Sequence, residues 1–380
     1  MELIRKQAMD SADTYHIQKP RVLFIGKRFY TNRDALAEAY GRIYQLPNEW
    51  AASGITTELW LVDYHSREST RHKDGSLSIV SMPLLGLGML IKILSNLFFK
   101  QSYTHVVASG DCYIGLLGYA VAKRSKSCFV FDVYDKYDDF SGYHRFLGLD
   151  LFPYLLEHAG RCLFASQALM KNLGRPQKKD LIVSNGLDTQ RFQPLEMAHC
   201  RSELKLPASG VFVGYFGGME PDRGVQDLVE AVIQLRCEGI GIELLIGGKL
   251  DPSVNLEIQG VRYVGNVPFD KMPLMLGACN LLAVPYRRSS LMDAGASNKI
   301  AEALACARPI AATETPNLVA NFPETAKRLA GRLAEPSNPM ALAQVIRDQI
   351  NNPILGCLAP GWDWPSIALE TAHELNLLSE

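Results

Sequence analysis

The sequence has no CxxC pair and no histidine pattern at metal-ligand spacing. Its cysteines are scattered along the chain, so a zinc-ribbon site and a disulfide framework are both excluded. We expect reduced, mostly buried thiols at all eight positions: Cys112, Cys128, Cys162, Cys200, Cys237, Cys279, Cys306 and Cys357.

An excess of either charge is also missing, because 39 lysines and arginines stand against 40 aspartates and glutamates. Binding to a phosphate backbone normally leaves a basic footprint on a whole domain. We therefore expect no nucleic-acid partner. The 380 residues are 47% hydrophobic, which is enough apolar material for two cored domains and too much for a disordered chain.

The chain lacks a long, uninterrupted apolar run. Residues 1–20 are polar and predict a loose leader without a signal-peptide pattern, and hence a cytoplasmic protein. The most apolar segment, residues 82–100, is interrupted by Lys92, Ser95 and Asn96 and falls short of a membrane span. Two interpretations stay open for this segment: packing against a sheet, or peripheral contact with anionic lipid at the inner face of the membrane.

The first half of the chain opens with an apolar run at residues 21–26, a helical pattern over residues 35–52 and a second strand over residues 56–62. This order predicts a parallel α/β sheet. A GxGxxG motif follows neither strand, so a dehydrogenase that binds a dinucleotide is excluded.

Two further strands of this half end in polar side chains. Strands are predicted over residues 105–109 and 128–133, and Asp111, Asp132 and Asp135 lie at their carboxyl ends. Ligands of open α/β sheets bind outside these ends, so all three aspartates are candidates for chemistry. Capping of the loops is the alternative, and it stays open for each of them.

The organisation restarts at residue 211 with a strand, a glycine loop and a helix from about residue 225, which predicts a second α/β domain. Gly217 and Gly218 allow a ligand to approach the backbone. Arg223 lies just before the helix, where the partial positive charge of the helix N-terminus favours an anion.

Residues 297–313 predict a capped amphipathic helix followed by a buried strand. Ser297 is the expected cap, and Ile300, Leu304 and Ala307 recur at helical spacing as an apolar stripe. Pro309 is expected to end the helix.

Lys299 and Glu302 emerge together near the first turn of that helix. A lysine is misplaced at the positive end of a helix unless an anion such as a phosphate binds there. The two oxygens of Glu302 suit the hydroxyls of a ribose, so the pair could hold one nucleotide. The alternative is an ordinary surface ion pair.

Residues 181–194, LIVSNGLDTQRFQP, resemble the motif that closes the first domain of retaining glycosyltransferases of family 4. The resemblance extends over about residues 21–378. Gly218 and Arg223 stand at the positions of the family's diphosphate-binding Arg and Lys, and Ala294 stands at the first Glu of its Glu-x7-Glu motif. Some branches of the family carry Lys-x-x-Glu there, as at Lys299 and Glu302.

The resemblance implies the GT-B architecture, in which two Rossmann-like α/β domains face a cleft. The implied order is a leader (1–20), an acceptor-side domain (21–194), a nucleotide-sugar domain (195–358) and a C-terminal helix (359–380) that packs back on the first domain. Trp362 and Trp364 are expected to anchor that helix.

The resemblance also implies retaining transfer of a sugar from a UDP- or GDP-sugar to a glycan or lipid-linked acceptor, in polysaccharide or glycolipid synthesis. No metal or other cofactor is implied. Asp135, with Asp132 beside it, is the candidate for steering the acceptor hydroxyl. A nucleotide-sugar epimerase and a non-catalytic binding protein stay open as alternatives. The residues expected to bind the donor are Gly217, Gly218, Arg223, Val267, Ser297, Asn298, Lys299 and Glu302.

Overall fold

The structure, a computed structural model, describes residues 19–30, 33–66, 68–84, 102–139, 143 and 149–378. Most of the predicted leader and most of segment 82–100 therefore lie outside the described residues. Within the described part of the chain, no helix combines the length and the apolar content that crossing a bilayer requires.

The first domain contains a mixed sheet and a small hairpin. The sheet is formed by β1 (Arg21–Lys27), β4 (Thr56–Asp63), β5 (Thr70–Asp74), β6 (Leu77–Pro83), β7 (His105–Ser109), β8 (Cys128–Val133), β9 (Arg161–Phe164) and β10 (Leu181–Ile182), and the hairpin by β2 (Phe29–Tyr30) and β3 (Arg33–Asp34). The strand order is β10-β9-β8-β7-β1-β4-β6-β5. Only the β5–β6 pair is antiparallel among these described neighbours.

Helices cover the faces of this sheet. They are α1 (Gly41–Ala52), α2 (Cys112–Ser125), α3 (Leu151–His158) and α4 (Gln167–Leu173). The helix predicted over residues 35–52 begins only at Gly41, because residues 35–39 form turns after the β2–β3 hairpin and Gly41 has left-handed backbone (φ +69°).

The second domain is built on a purely parallel sheet with the order β13-β12-β11-β14-β15. Its strands are β11 (Val211–Phe216), β12 (Ile242–Gly247), β13 (Val261–Tyr263), β14 (Leu281–Val284) and β15 (Ile310–Ala312). Its helices are α5 (Met197–Glu203), α6 (Val225–Cys237), α7 (Met272–Ala278), α8 (Ser290–Ala294), α9 (Asn298–Ala305), α10 (Pro316–Asn321), α11 (Pro323–Arg328) and α12 (Pro339–Asn351).

The apolar strands explain the layered packing. In β1 four consecutive residues, Val22 to Ile25, are fully buried, as expected of a central parallel strand that is covered on both faces. The predicted α/β fold with two sheets is confirmed, while the limits of the domains stay a prediction. The cysteines are all free, and most are buried, as expected.

The last helix, α13 (Trp364–Glu374), packs against α1 of the first domain. The Trp50 indole N–H donates to the Ala368 carbonyl at 2.9 Å. Trp364 is buried against Gly186, whose missing side chain leaves room for the indole. Trp362 stacks on Phe322 of the second domain at 4.7 Å between ring centroids. Trp362 therefore contacts the second domain and Trp364 the first, at the point where the chain passes from one to the other.

Candidate functional site

Glycines at the ends of three neighbouring strands form a floor in the second domain. The Gly217 N–H donates to the Gly247 carbonyl, and the Gly248 N–H donates to the Gly265 carbonyl, both at 2.8 Å. A β-carbon at Gly248 would lie 2.0 Å from the Gly217 oxygen. Side chains would separate these backbones, so the floor requires glycine. Val267 packs beside Gly247 at the edge of this floor.

Lys299 lies directly over Gly217. A β-carbon at position 217 would lie 2.0 Å from the Lys299 Cε and 2.6 Å from its Nζ, and Gly217 has φ +151°. Helix α9 thus delivers a lysine onto the glycine floor at the carboxyl end of β11. The two features that the sequence analysis singled out separately, the glycine loop and the Lys-x-x-Glu pair, form one site.

Lys299 and Glu302 line a small pocket together with Phe216, Leu276 and Val284. Among the described ion pairs, none joins the two side chains, so the surface ion pair that was the alternative interpretation is absent. Burial raises the pKa of Glu302, and the charges of Lys299 and Arg33 oppose that rise. Arg33 belongs to the first domain, so Glu302 faces a cation from across the cleft.

Arg223 is held at the site by the turn before α6. Gly224 has φ +65°, and a β-carbon there would lie 1.8 Å from the Pro285 carbonyl oxygen. This contact brings the guanidinium of Arg223 over the ring of Tyr286, at 5.6 Å from its centroid. The loop after β11 and the loop after β14 therefore close around one cation.

Glu220 occupies the space beside Gly218. Its carboxylate oxygens would lie 2.4 Å and 2.7 Å from a β-carbon at Gly218. Glu220 also pairs with Arg223 at 3.6 Å between Oε2 and Nε. Gly218 stands at the position of the family's diphosphate-binding arginine, and the carboxylate of Glu220 fills the space beside it. This carboxylate would compete with a bound anion for Arg223.

Ser297 differs from the expected helix cap. Its side chain accepts no hydrogen bond from the first turn of α9, and its Oγ lies 2.8 Å from the Tyr286 hydroxyl instead. Asn298 begins the helix. The helix ends at Ala305, and Ala307 already has left-handed backbone (φ 51°), so Pro309 lies beyond the helix rather than ending it.

Asp135 lies at the carboxyl end of β8 and faces the second domain. Burial raises the pKa of its carboxyl to about 6, while the Lys136 N–H and the charge of Arg223 oppose the rise. Asp135 and Arg223 thus interact across the cleft. A role of Asp135 in steering the acceptor hydroxyl stays a prediction.

Asp132 is placed differently from the catalytic position predicted for it. It is fully buried, and both its oxygens accept from Arg42, at 3.0 Å and 2.7 Å. Arg42 also donates to Asn185 at 3.0 Å, and Asn185 donates to the Ala296 carbonyl at 3.3 Å. Asp132 therefore supports the loop that leads into α9 and has no exposed oxygen for a substrate. Asp111 caps α2 through the N–H groups of its first turn.

Tyr286, Arg33 and Gly224 were not predicted as site residues. Tyr286 ends a run of buried strand residues, a pattern typical of the core. Arg33 lies in β3 of the β2–β3 hairpin, which was not predicted. Only the fold brings Arg33 opposite Glu302. Gly224 lies between Arg223 and the start of α6, and a glycine at that place was the sequence signal that could have revealed the left-handed turn (φ 65°).

In the part of the chain that the structure describes, no three histidine, cysteine, aspartate or glutamate side chains converge as a metal site would require. A cavity of about 500 Å³ lies away from these residues, between β10 and α13, and is lined by Asp180 and Glu374 among others. It holds neither Lys299 nor Arg223.

Residues 210–352 match the family model described as glycosyl transferases group 1. No curated protein matches the sequence. The predicted resemblance to group 1 glycosyltransferases is confirmed by the family match, which covers the second domain. The assignment to family 4 and the retention of configuration stay predictions.

Solved structures share the fold over nearly the whole chain. Sucrose-phosphate synthase from Thermosynechococcus elongatus is 17% identical with a TM-score of 0.70, covering 94% of this chain and 98% of that chain. HepE from Anabaena, in complex with UDP and glucose, is 15% identical with a TM-score of 0.64, covering 94% and 100%. UDP-GlcNAc 2-epimerase from Neisseria meningitidis, bound to UDP-GlcNAc, is 10% identical with a TM-score of 0.53, covering 94% and 99%. At these identities the similarity shows the GT-B fold alone.

Proposed function

We propose that this chain, a glycosyltransferase of group 1, transfers a sugar from a nucleoside diphosphate sugar to an acceptor hydroxyl. The observation that carries the proposal is the convergence of Arg223, Lys299 and Glu302 at glycine-lined strand ends of the domain that matches the family.

The two cations suit the leaving diphosphate. Negative charge develops on the diphosphate as the bond to the sugar breaks, and Lys299 and Arg223 are held in place before the reaction by Gly217 and Gly224. Fixed cations stabilise such charge without reorganising during the reaction. Glu302, with two acceptor oxygens beside the pocket, is the proposed partner of the ribose hydroxyls.

We propose UDP as the donor nucleotide ahead of GDP. HepE is in complex with UDP, and a trehalose-6-phosphate protein from E. coli with the same fold is bound with UDP-2-fluoro glucose. The half-buried Val267, between the exposed Asn266 and Pro268 at the edge of the glycine floor, is the proposed contact of the base.

The carboxyl edge of the first sheet is the proposed acceptor side. Asp135 lies there, and so do Lys27 at the end of β1, Tyr64 just after β4, and Tyr113 in the first turn of α2, which follows β7. Tyr64 and Tyr113 are 40% and 47% exposed, and the Lys27 ammonium lies 5.3 Å from the Tyr64 ring centroid. Exposed rings beside polar groups suit a sugar acceptor, because one end of such a surface is apolar and the other is wet.

A glycan or lipid-linked acceptor, retention of configuration and a role in polysaccharide or glycolipid synthesis belong to this proposal as its finer part. Peripheral membrane contact through residues 82–100 also stays a prediction, since nearly all of that segment lies outside the described residues.

Calorimetry with UDP and UMP tests the donor site. We expect UDP to bind about 10- to 150-fold more tightly than UMP, because the second phosphate adds charge-assisted hydrogen bonds worth about 1.5–3 kcal/mol. Equal affinities would contradict the diphosphate site.

In a thermal-shift screen of UDP-, GDP- and ADP-sugars, a donor at about 100-fold over its dissociation constant should add roughly 2.7 kcal/mol to the unfolding free energy.

Product analysis separates the proposal from its alternatives. Transfer to an added acceptor supports the glycosyltransferase. Release of an epimerised sugar nucleotide without acceptor would favour the epimerase, whose fold the chain shares. Tight nucleotide binding without any turnover would favour a non-catalytic protein. The observation that favours this alternative is the carboxylate of Glu220 beside Gly218, where the family has a diphosphate-binding arginine.

A further inference from the structure

The loop from Ala294 to Ser297, between α8 and α9, belongs to the second domain but packs into the first. Ala294 is buried within the hydrophobic core of the first domain, and Ala296 packs against the same core. Helices α8 and α10 also pack against α4 of the first domain. Lys299 lies three residues after Ala296, so the contact with the first domain immediately precedes a cation of the proposed donor site.

Two side chains of the first domain hold the carbonyl groups of this loop. The Ser166 hydroxyl, just before α4, donates to the Ala294 carbonyl at 2.6 Å. The Asn185 amide, shortly after β10, donates to the Ala296 carbonyl at 3.3 Å. These carbonyls lie outside the hydrogen-bond ladders of strands and helices, so their positions depend on such side chains. The start of α9 is therefore set in part by the first domain.

Asn185 is itself fixed by a buried ion pair. Its Oδ1 accepts from Arg42 at 3.0 Å, and both oxygens of Asp132 accept from the same guanidinium. An arginine only donates and a carbonyl only accepts, so the amide has its Oδ1 towards Arg42 and its Nδ2 towards Ala296. An aspartate at position 185 could keep the first contact but could not make the second.

We infer that Asn185 is a positioning residue of the donor site, which holds Lys299 over Gly217 through the Ala296 carbonyl and makes diphosphate binding depend on the first domain. Ser166 supports the same loop at its other end. The inference rests on the proposed function and extends it to a residue of the opposite domain.

The close fit of Lys299 on the glycine floor explains why the loop matters. The Lys299 Cε lies only 2.0 Å from the place of a β-carbon at Gly217, so a shift at the start of α9 moves the lysine relative to the floor. Stabilisation of a phosphate charge by a cation depends on such fixed geometry. Loss of the Ala296 contact should therefore weaken the binding of the second phosphate and leave the affinity for UMP nearly unchanged.

The experiment uses Asn185→Asp, which keeps the acceptor for Arg42 and loses the donor to Ala296. Calorimetry should show that the preference for UDP over UMP falls by a factor of about 2 to 12, as expected for one neutral hydrogen bond. Asn338→Asp is the matched control. Asn338 is also half-buried, and its aspartate variant keeps the cap of α12 and loses an Nδ2 bond of 3.1 Å to Glu335. Its nucleotide affinities should equal those of the wild type.

Two further measurements distinguish positioning from a general loss of stability. In a Lys299→Ala protein, Asn185→Asp should have no additional effect on UDP affinity, because it acts through the lysine. Without nucleotide, the Ser297 N–H, which donates to Asn317 at 3.1 Å, should exchange about 2- to 12-fold faster in Asn185→Asp. Exchange at this N–H should be unchanged in Asn338→Asp.

The outcomes separate the inference from the proposed function. The inference is overturned if Asn185→Asp keeps the wild-type preference for UDP, if its effect adds fully to that of Lys299→Ala, or if exchange at Ser297 is unchanged. Ser166→Ala should change the preference and the exchange in the same direction, and it decides the question if Asn185→Asp does not fold. If the wild type binds neither UDP nor GDP, the proposed function fails instead, and exchange at Ser297 still decides whether Asn185 holds the loop.

Discussion

At the residue scale, Glu302 combines two properties that separate ligand binding from a structural role. It lines the pocket beside Lys299, and burial raises its pKa, which means that the fold disfavours its ionised form. A buried pocket carboxylate whose ionised form does not stabilise the fold is typical of a binding site.

Replacing Glu302 by glutamine should weaken binding of UDP while the protein stays as stable as the wild type. The amide replaces one acceptor with a donor, and a hydrogen bond to a charged group contributes about 1.5–3 kcal/mol, so we expect a 10- to 150-fold weaker affinity by calorimetry. Because the pKa of Glu302 is raised in the folded state, its ionised form lowers stability at neutral pH, and the melting temperature should not fall.

The exposed Glu324→Gln is the matched control, since it lies in α11 of the same domain and away from the pocket. Its affinity for UDP should equal that of the wild type. A Glu302→Gln protein that melts early and binds UDP normally would assign Glu302 to the fold.

Asp135→Asn should lower turnover by about 100- to 10,000-fold while UDP affinity barely changes, because help from a general base grows only towards the transition state. The pKa of Asp135 is raised to about 6, so its carboxylate is lost below that pH. The wild-type rate should therefore fall as the pH drops through about 6, and this acid limb should be missing from the pH profile of the variant.

Asp132→Asn is the control for that measurement. Its oxygens are committed to Arg42 in a fully buried pair, and breaking such a pair costs about 3–5 kcal/mol of stability. We expect a lower denaturation midpoint with a smaller change of rate. Equal and small rate losses in both variants would remove Asp135 from the mechanism.

At the element scale, the glycine loop after β11 exists in its observed form because α9 lies on it. Gly217→Ala would place a β-carbon 2.0 Å from the Lys299 Cε, so the lysine must move off the floor. We expect the preference for UDP over UMP to shrink in calorimetry, since Lys299 contacts the diphosphate in the proposed site.

Gly239→Ala provides the comparison for backbone strain. Gly239 also has positive φ (+85°), but nothing lies within 4 Å of its missing β-carbon. Both variants should lose about 1–2 kcal/mol of stability from left-handed backbone. Only Gly217→Ala should lose diphosphate affinity, and an equal loss in both would show that Lys299 does not depend on the floor.

The elements that the sequence predicted well are those whose signal is local. Strands at residues 105–109 and 128–133 match β7 and β8 because buried parallel strands are continuous apolar runs. The predicted start of α1 was wrong, because residues 35–39 form turns instead of helix and the left-handed backbone of Gly41 is not visible in the apolar periodicity.

The residues of the candidate site also divide into those with a local signal in the sequence and those without one. Lys299 and Glu302 were predicted because a lysine at a helix N-terminus is locally unfavourable, and Arg223 was predicted because it precedes a helix. Tyr286 could not be found, because its role arises from two segments that lie 63 residues and 13 residues from it in the chain, at Arg223 and Lys299.

At the scale of the whole molecule, the two domains meet on both sides of the cleft. On one side, Ser166 donates to the Ala294 carbonyl at 2.6 Å. On the other side, the ring of Phe269 lies between two guanidinium groups, with Arg33 of the first domain and Arg191 each at 4.6 Å from its centroid. Arg33 is also the cation that faces Glu302.

This arrangement predicts that Phe269 couples the domains. Phe269→Leu keeps an apolar side chain but removes the ring, and each lost cation–π contact contributes about 0.5–1 kcal/mol at an exposed site, or a two- to fivefold shift towards separated domains. UDP binding should persist, because Lys299, Glu302 and Arg223 all belong to the second domain. Sugar transfer should fall, because it requires Asp135 opposite Arg223, and X-ray scattering should show a larger radius of gyration. Phe269→Tyr, which keeps the ring, should behave as the wild type. Unchanged transfer and scattering in Phe269→Leu would show that the other contacts between the domains, such as the hydrogen bonds from Ser166 and Asn185, suffice to hold the cleft.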